Sequence, residues 1–203
     1  MKAQVKRIIA DFQQAPLPEI PSRSLEVPLH LEKIITIVGP RRAGKTFYLY
    51  QVMIELEKRG VSRQRMLYLN FEDERLELEG DYDQIFDAYR ELWPDQDLSQ
   101  LYIFFDEIQE LSNWEKFVRR VSDTISRHIF ITGSNSKLLS REIATSLRGR
   151  GLSFEILPLS FSEFLSFQDI PARVPVSSKD RAIVGQAFET YCLWGGFPEL
   201  VGV

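Results

Sequence analysis

The stretch GPRRAGKT, at residues 39–46, places glycine, lysine and threonine at the spacing G-x-x-x-x-G-K-[ST]. An apolar run precedes it and a helix-forming segment follows. Backbone N–H groups of such a loop can surround phosphate oxygens, and a side chain at Gly44 would crowd that approach. Lys45 supplies a positive charge to the phosphates, and the Thr46 hydroxyl can ligate Mg²⁺. The stretch predicts a phosphate-binding loop formed by Gly39, Pro40, Arg41, Arg42, Ala43, Gly44, Lys45 and Thr46, with Phe47 directly after it.

Two carboxylates, Asp106 and Glu107, directly follow a second apolar run at 103–105. At the end of a strand, Asp106 can reach a metal ion beside Thr46. Because successive strand residues point in opposite directions, Glu107 is expected to point elsewhere and to polarise an attacking water. The alternative is an acidic pair that only opens a solvated turn, and the phosphate loop upstream argues against it.

Two further polar groups come later in the chain. Ser134 and Asn135 follow a predicted strand, where they can contact the γ-phosphate or orient water, or can simply form a turn or a helix cap. The segment 148–150 reads Arg-Gly-Arg, and a guanidinium there can stabilise transferred phosphate in cis or from a neighbouring subunit. A solvated basic turn is an equal alternative, and the roles of Arg41 and Arg42 are undecided.

Strands and helices alternate along the chain in an order that can position these groups. Strands that are apolar almost throughout predict an α/β fold, in which a five-stranded parallel sheet has helices on both faces and ligand at its carboxyl end. The strands are predicted at 34–38, 66–71, 101–105, 128–132 and 152–157. The helices are predicted at 1–13, 44–59, 81–93, 114–125, 137–147, 161–167 and 181–194.

Helical spacing also predicts which side chains face the core. In the helix after the phosphate loop, Phe47, Tyr50 and Ile54 are expected to point inward, with Met53 beside them. In the last helix the inward residues are Ile183, Ala187 and Tyr191. The single cysteine, Cys192, lies among apolar neighbours and is expected to be buried.

Length and composition limit the classes of function. The 203 residues suffice for one α/β domain, and a net charge of −4 argues against nucleic-acid binding through a general basic field. One cysteine excludes an internal disulfide, and the two histidines show no metal-ligand spacing. With no apolar run of membrane-spanning length and no signal-peptide core, we expect a cytoplasmic protein with no membrane partner. We divide it into a helix and extended lead-in at 1–30, an α/β core with the phosphate loop at 31–168, and a C-terminal segment at 169–203. The resemblance described next implies that the second is an ATPase core and the third a linker with the start of a lid.

Further motifs extend this pattern over nearly the whole chain: LNFED (69–73), IFFDEIQ (103–109), ITGSNSKLL (131–139), LRGRG (147–151), EILPLSFSEFL (155–165) and GGFPEL (195–200). In this order they resemble AAA-type P-loop ATPases of the additional-strand class. They are most similar to the bacterial and archaeal family that carries a nuclease-like domain of unknown function behind the ATPase domain.

The resemblance implies ATP and Mg²⁺ as ligands, ATP hydrolysis, and a P-loop NTPase sheet followed by a small helical lid. It implies Ser134 as the first sensor, Arg150 as the phosphate-sensing arginine, and Pro198 as a residue that helps to hold the base. The family continues beyond GGFPEL, so we expect this chain to be a fragment. A nucleic-acid partner would be reached only through the missing regions, and a homo-oligomer would supply an arginine in trans.

The favoured function is a Mg-dependent ATPase that acts as a switch or motor for an attached or partner domain. A nucleotide-dependent interaction module that hydrolyses slowly or not at all is the alternative, and Glu107 argues for hydrolysis because a pure binding module needs no water-activating acid. A small-molecule kinase would share the phosphate loop, but no acceptor-binding signature is seen. A GTPase is disfavoured because no Asn-Lys-x-Asp segment occurs.

Overall fold

A computed structural model of the chain describes residues 2–201, apart from 77, 79, 135–146, 148 and 172–176. The strands are β1 (Ile34–Gly39), β2 (Met66–Asn70), β3 (Tyr102–Asp106), β4 (His128–Ser134) and β5 (Gly151–Glu155). The helices among these residues are α1 (Lys2–Gln14), α2 (Lys45–Lys58), α3 (Asp83–Leu92), α4 (Trp114–Thr124), α5 (Phe161–Phe167) and α6 (Ser178–Trp194). The helix predicted at 137–147 lies outside the described residues except for its last position.

The five strands form one parallel sheet in the order β2-β3-β4-β1-β5, which confirms the predicted fold class. Every residue of β1 is buried, because it has a neighbouring strand on each side and a covered face above and below. The register places Gly39 of β1 opposite Ser134 of β4, and Asn70 of β2 opposite Asp106 of β3. The carboxyl ends of four strands therefore meet at one edge.

A hydrophobic core lies on each face of the sheet. Alternate strand residues divide between them, so that Ile34 and Val38 of β1 join one core while Ile35 and Ile37 join the other. The first core includes side chains of α1, α3 and α4, and the second includes those of α2. A third, smaller core joins α5 to α6 through Phe164, Leu165 and Ala187.

Two predictions about inward faces were wrong. Helix α2 buries Tyr48, Leu49, Val52, Met53 and Leu56, whereas Phe47 is 54% exposed. The apolar residues of α2 cover most of its circumference, so spacing alone did not select the face. Met53 is buried as predicted, and Tyr50 is partly buried against the second core. In α6, Ala187 is buried but Ile183 is exposed, and Cys192 is exposed as well.

Strand ends differ slightly from their predicted positions. The fourth strand continues through Gly133 to Ser134, because pairing with β1 lasts until that strand ends at Gly39. The fifth strand starts and ends earlier than predicted and is an edge strand, with Leu152 and Glu155 exposed. Among the described residues, no helix is both long and apolar enough to cross a membrane.

Candidate functional site

The predicted phosphate loop leaves β1 at Gly39 and enters α2 at Lys45. A Cβ atom on Gly39 would lie 2.2 Å from the carbonyl oxygen of Ile156, so the chain leaving β5 permits no side chain there. Gly44 has a φ of 92°, in the left-handed region that favours glycine, and it directly precedes the first turn of α2. The first N–H groups of a helix lack intrahelical partners, so this turn presents them to an anion.

Lys45 is the buried cation of the loop. Its side chain is 4% exposed, and Nζ lies 3.5 Å from Oε1 of Glu107. Nζ also donates a hydrogen bond to the carbonyl oxygen of Pro40 at 3.2 Å. An ammonium group binds as a point charge without fixed geometry, so phosphate oxygens can replace either partner.

Asp106 is a fully buried carboxylate that accepts hydrogen bonds from three hydroxyl groups. Thr46 donates to Oδ2 at 2.7 Å, and Tyr68 donates to the same oxygen at 3.0 Å. Thr132 donates to Oδ1. Burial raises the pKa of Asp106, and the three hydroxyl donors only partly oppose that rise. A carboxylate and a hydroxyl oxygen 2.7 Å apart are hard ligands of the kind that Mg²⁺ prefers, so these residues fit that ion.

Glu107 follows β3 in a left-handed backbone conformation, with a φ of 50°. Non-glycine residues rarely adopt this conformation, and it is concentrated at functional sites. Because β3 ends at Asp106, this turn rather than strand alternation separates the two carboxylates. The backbone N–H of Glu107 donates to Oγ1 of Thr132 at 2.9 Å, so one threonine contacts both acidic residues.

A cavity of about 610 Å³ opens beside these groups. Such a volume, lined by apolar side chains together with polar and charged groups, is typical of a small-molecule site. Gly44, Lys45, Thr46 and Glu107 lie at the phosphate-loop end, and the apolar lining includes Ile20, Pro21, Phe47, Phe167 and Pro198. The rest of the lining is polar or charged and consists of Arg23, Arg42, Gln51 and Glu199. The arrangement can hold a ligand with an anionic chain at one end and an apolar body at the other.

Arg23, in the extended segment before β1, fastens the loop to the rest of the molecule. Its side chain is 8% exposed, and Nε pairs with Oε1 of Glu163 at 3.0 Å. Nη1 donates to the carbonyl oxygen of Ala43 at 3.0 Å, and Nη2 donates to that of Leu157 at 2.6 Å. The phosphate loop, the chain leaving β5 and the first turn of α5 are thereby joined through one guanidinium.

Glu163 also caps α5. Its carboxylate accepts from the backbone N–H of Ser160, whose hydroxyl accepts in turn from the Glu163 N–H, which completes a capping box. Burial alone would raise the pKa of Glu163, but hydrogen bonds from the Ser24 and Ser160 N–H groups and from Arg23 lower it to about 2. The charged form of Glu163 is therefore stabilised where the loop is fastened.

Of the remaining residues predicted for the loop and base, Arg42 and Pro198 line the cavity and Arg41 does not. Arg41 is largely exposed and lies 3.9 Å from Glu72. Arg42 pairs with Glu199 at 3.0 Å, so the loop contacts the short 3-10 helix 198–200. In the same helix, Cγ of Pro198 lies 3.6 Å from the position of a Cβ on Gly44.

The later polar residues divide into three cases. The backbone of Ser134 lies opposite Gly39 at the carboxyl edge of the sheet, and Asn135 lies outside the described residues.

Arg150 lies at the other end of the sheet, where its carbonyl oxygen accepts a hydrogen bond from the N–H of Ile34, the first residue of β1. The phosphate loop begins five residues further along β1, about 16 Å away, which is beyond the reach of an arginine side chain. In this structure Arg150 is therefore too far from the phosphate loop of its own chain to contact a phosphate there, and its role stays a prediction.

Sequence reasoning missed several residues that contact the predicted site. Tyr68 and Thr132 hold Asp106, Arg23 holds Ala43, and Gln109 donates to Oε2 of Glu107 at 2.7 Å. Thr132 and Tyr68 could have been found from the sequence, because each places a hydroxyl group inside an otherwise apolar strand. The contacts of Arg23 join segments far apart in the chain, and no local pattern announces them.

A family model described as an AAA domain matches residues 31–165. An uncharacterized protein of Methanocaldococcus jannaschii is 41% identical over 193 residues, which cover 95% of this chain and 42% of that protein. An uncharacterized protein of Haemophilus influenzae is 36% identical over 168 residues, 83% of this chain and 40% of that protein. The chain thus spans about two fifths of the length of these curated relatives.

Among solved structures, C. elegans PCH-2 is similar with a TM-score of 0.49 and 14% identity, covering 98% of this chain and 60% of that chain. No functional statement follows from so distant a likeness.

Proposed function

The chain belongs to the AAA domain family, and from that premise we propose that its cavity binds ATP with Mg²⁺ and hydrolyses it. One observation carries the hydrolytic part. The carboxylate of Glu107 lines the cavity 3.5 Å from Nζ of Lys45, directly after Asp106 in the chain. A module that only bound nucleotide would need the loop and a metal-holding carboxylate, but no second carboxylate at this place.

The triphosphate, the base and the metal ion of Mg–ATP would each have partners in or beside the cavity. The amino end of α2 and Lys45 would bind the triphosphate, and the apolar wall that includes Phe47 and Pro198 would hold the base. Thr46 and Asp106 would hold Mg²⁺, which neutralises phosphoryl charge when bound.

The chemical step assigned to the protein is the activation of water. Glu107 accepts a proton from the attacking water while the water oxygen forms a bond to the γ-phosphorus. The bond between the γ-phosphorus and the β–γ bridging oxygen breaks, which releases ADP and phosphate. Lys45 balances negative charge on the phosphates throughout. Thr132 keeps the two carboxylates in separate roles, because it bonds the Asp106 side chain and the Glu107 backbone.

We further infer that the chain is a switch for an attached or partner domain. The loop contacts the segment after α6 through the Arg42–Glu199 ion pair, and the Leu159 N–H donates to the carbonyl oxygen of Gly196 at 2.6 Å. A change at the phosphates can therefore move the end of the described chain. From the sequence resemblance we predict that a nuclease-like domain receives this movement, and a nucleic-acid partner would be reached only through that region.

The function is tested by two variants of the purified chain. Lys45→Ala should lose ATP binding at millimolar Mg–ATP, because it removes the cation that contacts the phosphates.

Glu107→Gln should keep the wild-type Kd for ATP but lower turnover about 10²- to 10⁴-fold, because an amide cannot accept the proton of water. Glu74→Gln, which changes an exposed loop carboxylate, is the matched control and should keep wild-type turnover. Removing Mg²⁺ with EDTA should stop hydrolysis.

Other outcomes distinguish the alternatives. Tight ATP binding without turnover, in wild type and Glu107→Gln alike, would identify a nucleotide-dependent interaction module. Phosphate transfer only after a second substrate is added would identify a kinase. Unchanged nucleotide affinity in Lys45→Ala would contradict the assignment of the phosphate loop.

A further inference from the structure

Gln109 lies in the short 3-10 helix 108–110, and its amide contacts the Glu107 carboxylate. Nε2 donates to Oε2 of Glu107 at 2.7 Å and makes a longer bond of 3.4 Å to Oε1 of Glu110. The other Glu107 oxygen, Oε1, faces Nζ of Lys45 at 3.5 Å. The carboxylate is therefore held at both oxygens, by a cation of the phosphate loop and by an amide of its own turn.

The side-chain carbonyl oxygen of Gln109 contributes little to the stability of the fold. Oε1 of Gln109 is buried and has no hydrogen-bond partner among the described residues. Burying a carbonyl oxygen without a partner is costly, and an apolar side chain of the same length would avoid that cost. The bond to Glu107 is thus the main polar contribution that a glutamine makes at this position.

The two contacts respond differently to a bound nucleotide. Under the proposed function, on which this inference rests, Lys45 turns to the phosphates and weakens its contact with Oε1 of Glu107. The Gln109 contact depends on no group of the phosphate loop, because it is formed within one turn of the chain.

We propose that Gln109 is a positioning residue for ATP hydrolysis. Its Nε2 keeps the Glu107 carboxylate in the orientation that accepts a proton from the attacking water after Lys45 has turned to the nucleotide. Gln109 acts only through Glu107 and contributes nothing to nucleotide affinity.

The test replaces the amide by an apolar side chain of equal length. Gln109→Met should lower kcat for ATP hydrolysis about tenfold to a hundredfold, since small misplacements of a catalytic group have effects of that size. KM and Kd for ATP should stay at the wild-type values, and Tm should not fall, because the unpaired oxygen is removed. Gln84→Met is the matched control, since the Gln84 amide also donates to a carboxylate, Asp81 at 2.9 Å, outside the cavity. It should keep wild-type kcat.

A double variant shows whether Gln109 acts through Glu107. Adding Gln109→Met to Glu107→Gln should cause no further loss of kcat, because the group that Gln109 positions is already absent. A further loss in the double variant, or a lower Tm in the single variant, would assign the side chain to the fold and overturn the proposal. Wild-type kcat in Gln109→Met, with hydrolysis lost in Glu107→Gln, would also overturn it and leave the function intact. Wild-type turnover in Glu107→Gln would instead contradict the proposed function.

Discussion

Asp106 is a buried carboxylate whose hydrogen-bond donors are hydroxyl groups. Neutral donors replace the lost hydration of a charge less completely than a cation does, which is why burial raises the pKa of Asp106 despite three such bonds. A residue of this kind lowers the stability of the nucleotide-free fold. Under the proposed function a divalent cation would bind its oxygen atoms, so we interpret the unfavourable burial of this charge as a cost of function.

We therefore predict that Asp106→Asn separates stability from activity. The variant should lose Mg-dependent ATP turnover by about a hundredfold or more, because an amide is a poor ligand for Mg²⁺. Its Tm without nucleotide should not fall, since the buried charge is gone. Thermal unfolding with and without Mg–ATP measures both effects, because a ligand raises Tm only where it binds the folded chain. Asp83→Asn, at an exposed ion pair with Arg120, is the control. A fall of several degrees without nucleotide would contradict the interpretation.

The sequence predicts those site residues that a local pattern of residue types identifies. Gly44, Lys45 and Thr46 are adjacent in the chain, and Asp106 is recognisable because an apolar strand precedes it. The contacts that orient these groups are not local, since Tyr68 and Thr132 come from two other strands. Gln109 lies two residues from Glu107, yet its bond depends on the left-handed backbone conformation of Glu107, which residue types do not predict.

Among the elements, the segment before β1 is held through the Arg23–Glu163 pair. Both side chains are nearly buried, with exposures of 8% and 11%, and both make further hydrogen bonds to backbone groups. A buried pair is favourable only with such additional bonds. We infer that this pair fixes the position of the phosphate loop relative to α5.

The pH dependence of stability tests this pair. The pKa of Glu163 in the folded chain, about 2, lies below its ordinary value of 4.5, so the charged group stabilises the fold above pH 4.5 and loses this contribution as the pH falls toward 2. Glu163→Gln should therefore lower the free energy of unfolding by about 2 kcal/mol at pH 7, with a deficit that shrinks below pH 4.5. Urea unfolding at pH 7 and pH 3 measures it, with exposed Glu189→Gln as the control. A deficit of equal size at both pH values would show that the charge is not its origin.

The order and type of the described elements could be predicted because apolar strands and amphipathic helices have different periods. The inward face of α2 could not, because apolar side chains surround most of that helix. Nor could the end of β4 be predicted, since Gly133 and Ser134 favour a turn by residue type and are kept in the strand by pairing with β1.

For the whole molecule, the parallel sheet separates two ends of different character. The carboxyl edge carries the cavity, which Lys45 and Glu107 line and beside which Asp106 accepts a hydrogen bond from Thr46, whereas Arg150 lies at the amino edge. There its guanidinium pairs with Asp123, with Nε 3.1 Å from Oδ1 and Nη2 3.3 Å from Oδ2, and its side chain is 40% exposed. If Arg150 acts on a transferred phosphate, that phosphate must be bound to a second copy of the chain.

Complementation between two inactive variants tests this action in trans. Arg150→Ala keeps Glu107 but cannot serve a neighbour, and Glu107→Gln keeps Arg150 but cannot activate water. Mixing them should restore ATP turnover, because sites that combine Glu107 of one copy with Arg150 of the other become complete.

Wild-type activity per protomer should also rise with protein concentration, and Arg150→Ala should remove the rise without changing Kd for ATP. Arg127→Ala, at an exposed ion pair with Glu32, is the matched control and should keep the rise. A concentration-independent wild-type rate, together with no recovery on mixing, would leave Arg150 as a surface residue paired with Asp123.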